Sequence, residues 1–322
     1  MNKIFLENVS YIYGEGTPFE QKALDGVSVG IPEGCITGII GHTGSGKSTM
    51  MQLLNGLAVP KSGRILLDGD DINARLEDVF DDWRTLPEYC ELSKRAAKKR
   101  IRRELAERRR KLCFRVGLVM QYPEYQLFEE TVFKDIAYGP TNMGLSEEEI
   151  RERVLEAARF TGLSEDLLEK SPFDLSGGQK RRVALAGVIA MRPEVLVLDE
   201  PAAGLDPRGR DFIFEGIRNY QKCAGNTVLI VSHSMEDMAR YCDNMIVMAD
   251  GKILAEGDVE TVFSYVDELS TVGLDIPQIT HLVQLLRKKG LLLPENLYTV
   301  ESATEAILAK YRQKSGKGGS LQ

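Results

Sequence analysis

Two hydrophobic rhythms alternate along this chain. Near the start, KIFLENVSYIY, ALDGVSVGI and GRILLDG (Gly63–Gly69) trade apolar for polar residues between glycine-containing turns, a pattern that predicts strands with one covered face. CITGII before Gly41, VLVLDE (Val195–Glu200) and TVLIVSH (Thr227–His233) are nearly all apolar instead. Separated by stretches of helical spacing, they predict strands buried on both faces of a parallel sheet, so the fold class is α/β. NMIVMADGKILAEGD predicts a hairpin turning at Asp250-Gly251. From about Val259 the spacing turns helical, with Ile279, Leu282, Val283, Leu285 and Leu286 expected on one buried face. The polar, glycine-rich end KSGKGGSLQ is expected to be disordered. No internal repeat is visible.

Composition narrows the class. The 322 residues, 43% hydrophobic and 28% charged, suit one large domain with an extension, or two domains. A net charge of −7 argues against a nucleic-acid binder that uses its whole surface. The five cysteines lack CxxC spacing and read as reduced thiols, with Cys35 expected in the core. The opening MNKIFLENVS breaks its apolar run at Glu7-Asn8, unlike a secretory signal, which also empties the sequon at Asn8 of meaning. The longest apolar run, VALAGVIAM, stops at Arg192-Pro193, short of the ~20 residues that span a bilayer. The expectation is a soluble chain, or one held at a membrane by something else.

Candidate chemistry begins where CITGII meets GHTGSGKS. Strand, loop and helix in this order fit GxxxxGK[ST], a phosphate-binding loop. Gly41, Gly44 and Gly46 let backbone N–H groups curl around phosphate, and the helix start adds partial positive charge. His42, Thr43, Ser45 and Thr49 complete the nucleotide-binding stretch; Lys47 is placed to reach the β- and γ-phosphates, and Ser48 to bind Mg²⁺. A plain glycine-rich turn is the alternative. In VLVLDE, four apolar residues carry Asp199 to the sheet's carboxyl edge as a metal-side carboxylate, with Glu200 one step beyond, where an attacking water belongs. DLSGGQKRR (Asp174–Arg182) supplies a second anion nest at a helix start. One nucleotide cannot easily occupy two nests of one chain, so a second subunit is implied.

With these motifs in order, roughly Lys3 to Gly257 resembles an ABC-type ATPase. The resemblance implies a RecA-like core with an antiparallel β-subdomain and a helical signature subdomain. ATP and Mg²⁺ would be sandwiched between the phosphate loop of one subunit and the signature (Leu175, Ser176, Gly177, Gly178 and Gln179) of another. It further implies Gln121 as the Q-loop glutamine sensing metal and water, Glu200 as the residue that polarises water, His233 as the γ-phosphate switch and Asp206 in the loop joining the two sites. Tyr13 resembles the aromatic that stacks on adenine, with Tyr11 the weaker choice. Ala202 stands where relatives usually carry threonine.

Within that family, QYPEYQLFEETVFKDIAYGPTNMG (Gln121–Gly144) resembles the segment peculiar to energy-coupling factor transporters, where a groove receives helices of a transmembrane T subunit. On this reading Glu124, Glu129 and Glu130 would meet arginines, and Tyr122, Tyr125, Leu127 and Phe128 would form an apolar floor. Phe133 and Tyr138 are expected to pack the helical subdomain. Stretches such as NGLAVPKSG, and VDELSTVGLDIPQITHLVQLLRKKGL near the end, are similar to the A2-type ATPase. That similarity implies a heterodimer with an A1-type paralogue, a homodimer being possible, and a separate membrane S component that binds the substrate, typically a vitamin or a metal ion. The expected division is an ATPase domain over 1–258, with a helical subdomain at about 124–190 and a basic insertion at about 77–115. A dimerisation extension over 259–312 and a tail over 313–322 follow. The expected activity is ATP hydrolysis coupled to transmembrane transport at the cytoplasmic face of a bacterial membrane.

The insertion is unexplained by the resemblance. Lys94–Arg115 holds 12 Lys/Arg against Glu104 and Glu107, with Ala97, Ile101, Leu105 and Leu112 as a thin apolar stripe and Ser93 as an N-cap. A solvated helix lying on the β-subdomain is the leading reading, ahead of an anionic membrane or a nucleic acid. Two rival functions remain at this level. A soluble ABC ATPase acting on nucleic acid would favour tandem halves or coiled-coil arms, which are lacking. A non-hydrolysing scaffold conflicts with intact Lys47, Asp199, Glu200 and His233.

Overall fold

Alternation in the first strands separates a buried face from an open one. β1 (Asn2–Tyr13), β2 (Gln21–Pro32), β4 (Ser62–Leu67) and β5 (Asp70–Asp71) form an antiparallel sheet in the order β2-β1-β4-β5, burying Ile4, Leu6, Val27, Val29, Ile65 and Leu67. The structure, a computed structural model, describes the chain apart from residues 75–79, 81–82, 266–268, 270, 275, 295 and 317–322, and the side chains of 313–316.

The apolar runs build the central sheet. β3 (Ile36–Ile40), β6 (Val116–Val119), β7 (Val195–Asp199), β8 (Thr227–Val231), β9 (Asn244–Ala249) and β10 (Lys252–Asp258) line up in the order β10-β9-β3-β8-β7-β6. All neighbours are parallel except β10, which returns through Asp250 and Gly251, both at positive φ as a tight hairpin requires. Strand periodicity divides the sheet's side chains between two cores. Ile39, Val195, Val197, Leu229 and Val231 face α1 (Lys47–Asn55) and the antiparallel sheet. Ile36, Ile40, Leu196, Leu198, Val228 and Ile230 face the opposite way. There they meet α5 (Gly177–Ile189), α6 (Pro207–Ala224) and α7 (Met235–Tyr241).

The helical subdomain adds α3 (Val132–Asn142), capped by Thr131, and α4 (Glu147–Phe160), which starts with a Ser146/Glu149 capping box. Phe133 packs against the core as expected. After β10 come α8 (Val259–Ser264), α9 (Gln278–Lys288) and α10 (Val300–Gly316). A separate small core forms from Val283, Leu293, Leu297 and Ala303, flanked by Ile279 and Leu286.

Four expectations need correction. Leu282 and Leu285 are exposed, because only Ile279, Val283 and Leu286, at i, i+4 and i+7, share the buried strip of α9. The final helix runs to Gly316, four residues into the expected tail, while 317–322 lie outside the described residues. Cys35 is only half-buried; Cys242 is the buried thiol. The basic helix α2 (Lys94–Arg115), capped by Ser93, does not lie on the β-subdomain along its length. Leu112 joins the α1 core, whereas Ala97 and Ile101 close a separate cluster with Trp83 and Tyr89, because the thin stripe finds its own aromatic lid.

Candidate nucleotide site and docking cleft

Four neighbouring strand ends converge on one edge of the central sheet. β3 delivers Gly41–Ser48, β8 delivers His233, β7 delivers Asp199 and Glu200, and β6 leads to Gln121. They line a cleft of about 350 Å³ together with Tyr13, Thr43, Gly44, Gly46, Lys47, Ser48 and Thr49. His42 and Ser45 stay beside it; Ser45 is fully buried, and His42 Nδ1 lies 2.8 Å from the Thr43 carbonyl oxygen.

The loop's glycines are needed for two different reasons. Gly46 lies at φ +103°, and a Cβ there would stand 2.5 Å from the Ala23 carbonyl oxygen, so the close approach admits nothing larger. Gly44, at φ +86°, has open space beside it, which leaves the loop's concave side free. Gly46 caps α1 without a side-chain hydrogen bond, so the helix's first N–H groups keep their donor capacity for an anion. Lys47 Nζ is buried and donates to the carbonyls of Gly41 (2.6 Å) and His42 (2.9 Å). Burial pulls its pKa down, opposed by Glu200 and Asp199.

Opposite the loop, burial raises the pKa of both carboxylates, and Asp199 adds to the effect on Glu200. Glu200 is held by its N–H to the Val231 carbonyl (2.9 Å) and by the Ser232 hydroxyl on Oε2 (3.4 Å). Its Oε1 is buried and accepts no hydrogen bond, although His233 Nε2 stands 3.5 Å away. Burial, with Lys47 nearby, lowers the His233 pKa, which works against an ion pair across that contact. An exposed Ser48 hydroxyl, Asp199 and an uncapped helix start make a donor set suited to a magnesium–triphosphate, with room for phosphate beside Gly44. Tyr13, 40% exposed, hydrogen-bonds with Thr49 Oγ1 at 3.2 Å and lines the cleft, whereas Tyr11 packs inward.

The signature faces elsewhere. Ser176, Gly178, Gln179 and Asp206 line a second cleft that shares no residue with the first. Ser176 caps α5 in a reciprocal box with Gln179, Gly177 has open space where a side chain would stand, and Asp206 caps α6 through the Gly209 N–H. Leu175 is a correction. It is buried in the core, where it fixes the loop from below, and does not reach this cleft.

In the Gln121–Gly144 segment, Tyr125 (85% exposed), Phe128 (56%) and Tyr122 open to solvent, while Leu127 is partly packed against the core. Phe128 meets Tyr138 edge-on at 4.9 Å. Both line an apolar cleft of about 420 Å³ with Leu127, Val183, Gly187 and Met191. Tyr138 therefore belongs to the cleft surface, contrary to expectation: it is half exposed and meets Phe128 instead of the subdomain's core. Glu124 is a second correction. Its carboxylate is bound by Arg181 at 3.1 and 3.2 Å, with the two side chains 18% and 5% exposed. Glu130 pairs with Lys134 at the surface, and Glu129 gives its N–H to Asp135.

Arg181 is the residue sequence reasoning missed. It bridges Glu124 after the Q-loop, the Ala203 carbonyl before Asp206 and the Tyr122 ring. Its signal was available: an arginine on the inward side of a helix whose neighbours Val183 and Leu185 are core must have a buried partner.

Residues 24–203 match the family described as "ABC transporter". The chain belongs to the ABC transporter ATP-binding family. An energy-coupling factor transporter ATP-binding protein EcfA2 from Caldanaerobacter subterraneus subsp. tengcongensis is 48% identical over 309 residues, 96% of this chain and 98% of its own. The structure of cbiO1 from Clostridium perfringens, part of the ABC transporter complex cbiONQ, is 37% identical with a TM-score of 0.65 over 88% of this chain and 99% of that one. A dimeric post-hydrolysis ATP-binding cassette bound to ADP and Pi is 28% identical with a TM-score of 0.61, covering 80% and 98%. These likenesses place the chain in the energy-coupling factor branch of the family.

Proposed function

We propose that this ABC ATPase is the A2-type motor subunit of an energy-coupling factor importer, working from the cytoplasmic face of the membrane. The observation that carries it is the split of one catalytic constellation. Loop, carboxylates and histidine occupy one cleft, and the Ser176–Asp206 surface occupies another. A head-to-tail dimer with an A1-type paralogue would bring the second cleft of each subunit to the first cleft of the other. The nucleic-acid reading finds no support among the relatives.

In the closed dimer Lys47 exchanges the Gly41 and His42 carbonyls for β- and γ-phosphate oxygens. The N–H groups of Gly44 to Thr49 orient the triphosphate, and Tyr13 stacks on adenine. Ser48, Asp199 and Gln121 would hold Mg²⁺, which supplies charge neutralisation at the phosphates. Glu200 Oε1, desolvated and unpaired, takes a hydrogen bond from the attacking water, and neutral His233 donates to the γ-phosphate. The partner's Ser176 hydroxyl and Gly177–Gly178 N–H groups close the opposite side.

The T subunit's coupling helices would seat in the cleft of Leu127, Phe128 and Tyr138, with Tyr125 and Tyr122 at its rim and Glu129 and Glu130 as outer acids. The S component, carrying the vitamin or metal ion, would be reached through the T subunit. Replacing Phe128 and Tyr138 by alanine should leave nucleotide binding unchanged while the chain no longer co-purifies with its membrane partner. Normal recovery of the complex would overturn the docking assignment.

A further inference from the structure

One face of the basic helix carries cations that, among the described residues, pair with no carboxylate, although Arg109 and Arg110 at its end also line clefts of this chain. Setting α2 on 100° per residue, Arg95, Lys99, Arg102, Arg103, Arg109 and Arg110 fall on one side, opposite Ala97 and Ile101, with the small Ala106 at the centre. All six are exposed, and among the described residues no carboxylate is paired with any of them. Of the helix's two acids, Glu104 is turned elsewhere, and Glu107 stands at the strip's edge, where Lys111 first and Arg103 as well hold its carboxyl below the usual range. Glu104 accepts from the Tyr89 hydroxyl and from Arg100 at 2.9 Å, and Glu107 pairs with Lys111 at 3.0 Å. The result is a predominantly cationic strip about 22 Å long on a chain of net charge −7.

Such a strip is not explained as an ordinary solvated face. Arg95–Lys99 and Lys99–Arg103 are like-charged i,i+4 pairs and Lys99–Arg102 an i,i+3 pair, each of which destabilises the helix. Trp83, Tyr89, Ala97 and Ile101 hold the helix together regardless, so the repulsive arrangement is maintained by a dedicated small core. At its other end the strip adjoins the docking cleft. Arg110, Cys113 and Phe114 form one wall of the space that Leu127, Phe128 and Tyr138 close from the other side.

We propose that the cationic face of α2 rests on the anionic phospholipid headgroups of the cytoplasmic leaflet, beside the point where the membrane subunit docks. The placement next to the bilayer rests on the cleft reading given above; the charge pattern does not. Surface potential of the leaflet attracts each nearby Lys or Arg, and an array of six is of the size that gives stable, salt-sensitive association. Lipid fits better than nucleic acid, because the face carries no aromatic side chain on which bases could stack. The contact would steady the ATPase against the membrane while its dimer opens and closes.

The test uses the full-length chain alone, so it does not depend on the T subunit. Flotation with phosphatidylglycerol–phosphatidylcholine vesicles should recover the protein, whereas pure phosphatidylcholine should not. Replacing Arg95, Lys99, Arg102 and Arg103 by glutamine, away from the cleft wall, should weaken the association by about three orders of magnitude. Thermal melting and ATP binding should be unchanged. In the wild type, raising salt to about 0.5 M should release the vesicles, since screening shortens the reach of the charges. Undiminished binding in the substituted chain or at high salt, equal binding to neutral vesicles, or tighter capture by a short single-stranded RNA at physiological salt would each overturn the proposal. Loss of vesicle binding with intact assembly in detergent would leave the docking cleft standing, so the two readings fail separately.

Discussion

Glu200 shows how much function a single side chain can hold. Its backbone sits at φ +49°, a region costly for a non-glycine residue, and the Val231 carbonyl fixes it there. The strain aims a buried, unpaired oxygen into the nucleotide cleft, where desolvation has raised its affinity for a proton. Glu200→Gln keeps the shape and removes the carboxylate. ATP binding should persist while turnover drops by about two to four orders of magnitude, and the ATP-bound dimer should become long-lived on size exclusion. Turnover near the wild-type rate would remove Glu200 from the mechanism.

At the scale of elements, Arg181 ties two distant segments to the signature helix. From α5 it holds Glu124 beside the docking cleft and the Ala203 carbonyl in the loop leading to Asp206. A charge-assisted pair thus links the segment beside the cleft to the signature helix. Because both partners are largely buried, Arg181→Ala leaves a carboxylate without its counter-charge and should cost about 3 kcal/mol in urea unfolding. Glu124→Gln with Arg181→Ala should cost far less than the two single changes added. Additive costs in that double-mutant cycle would show the pair to be incidental.

Across the whole molecule, one ion cluster joins the two sheets. Lys3 of β1 reaches Asp68 (2.7 Å) and Glu194 (3.0 Å), and Arg115 at the end of α2 reaches Glu194 (2.7 Å). The Arg115 hydrogen bond, helped by Lys3, holds the Glu194 carboxyl down at about 2, against an ordinary 4.5. A depressed folded-state pKa contributes stability in full above 4.5, and that stability is lost as pH falls towards 2. Glu194→Gln should thus flatten the decline in melting temperature below pH 4.5, with little change in slope at neutral pH. Partial exposure keeps the effect small, so an unchanged acid limb would show that other carboxylates govern it.

The sequence by itself determined the strands, the phosphate loop and the acidic strand end, since these depend on local spacing: period-two alternation, glycines that admit positive φ, and charge at the end of an apolar run. It also marked Tyr125 and Phe128 as outward-facing, because large aromatics beside acids have no internal use there. Only the tertiary structure decided which charges were already spoken for. Glu124 and Glu130 look alike in sequence, yet one meets Arg181 from 57 residues away and the other only its neighbour Lys134. Leu175 and Tyr138 exchanged their expected places, core against surface, for the same reason. Burial depends on what distant elements bring alongside a residue, and a pattern read along the chain contains no distance across it.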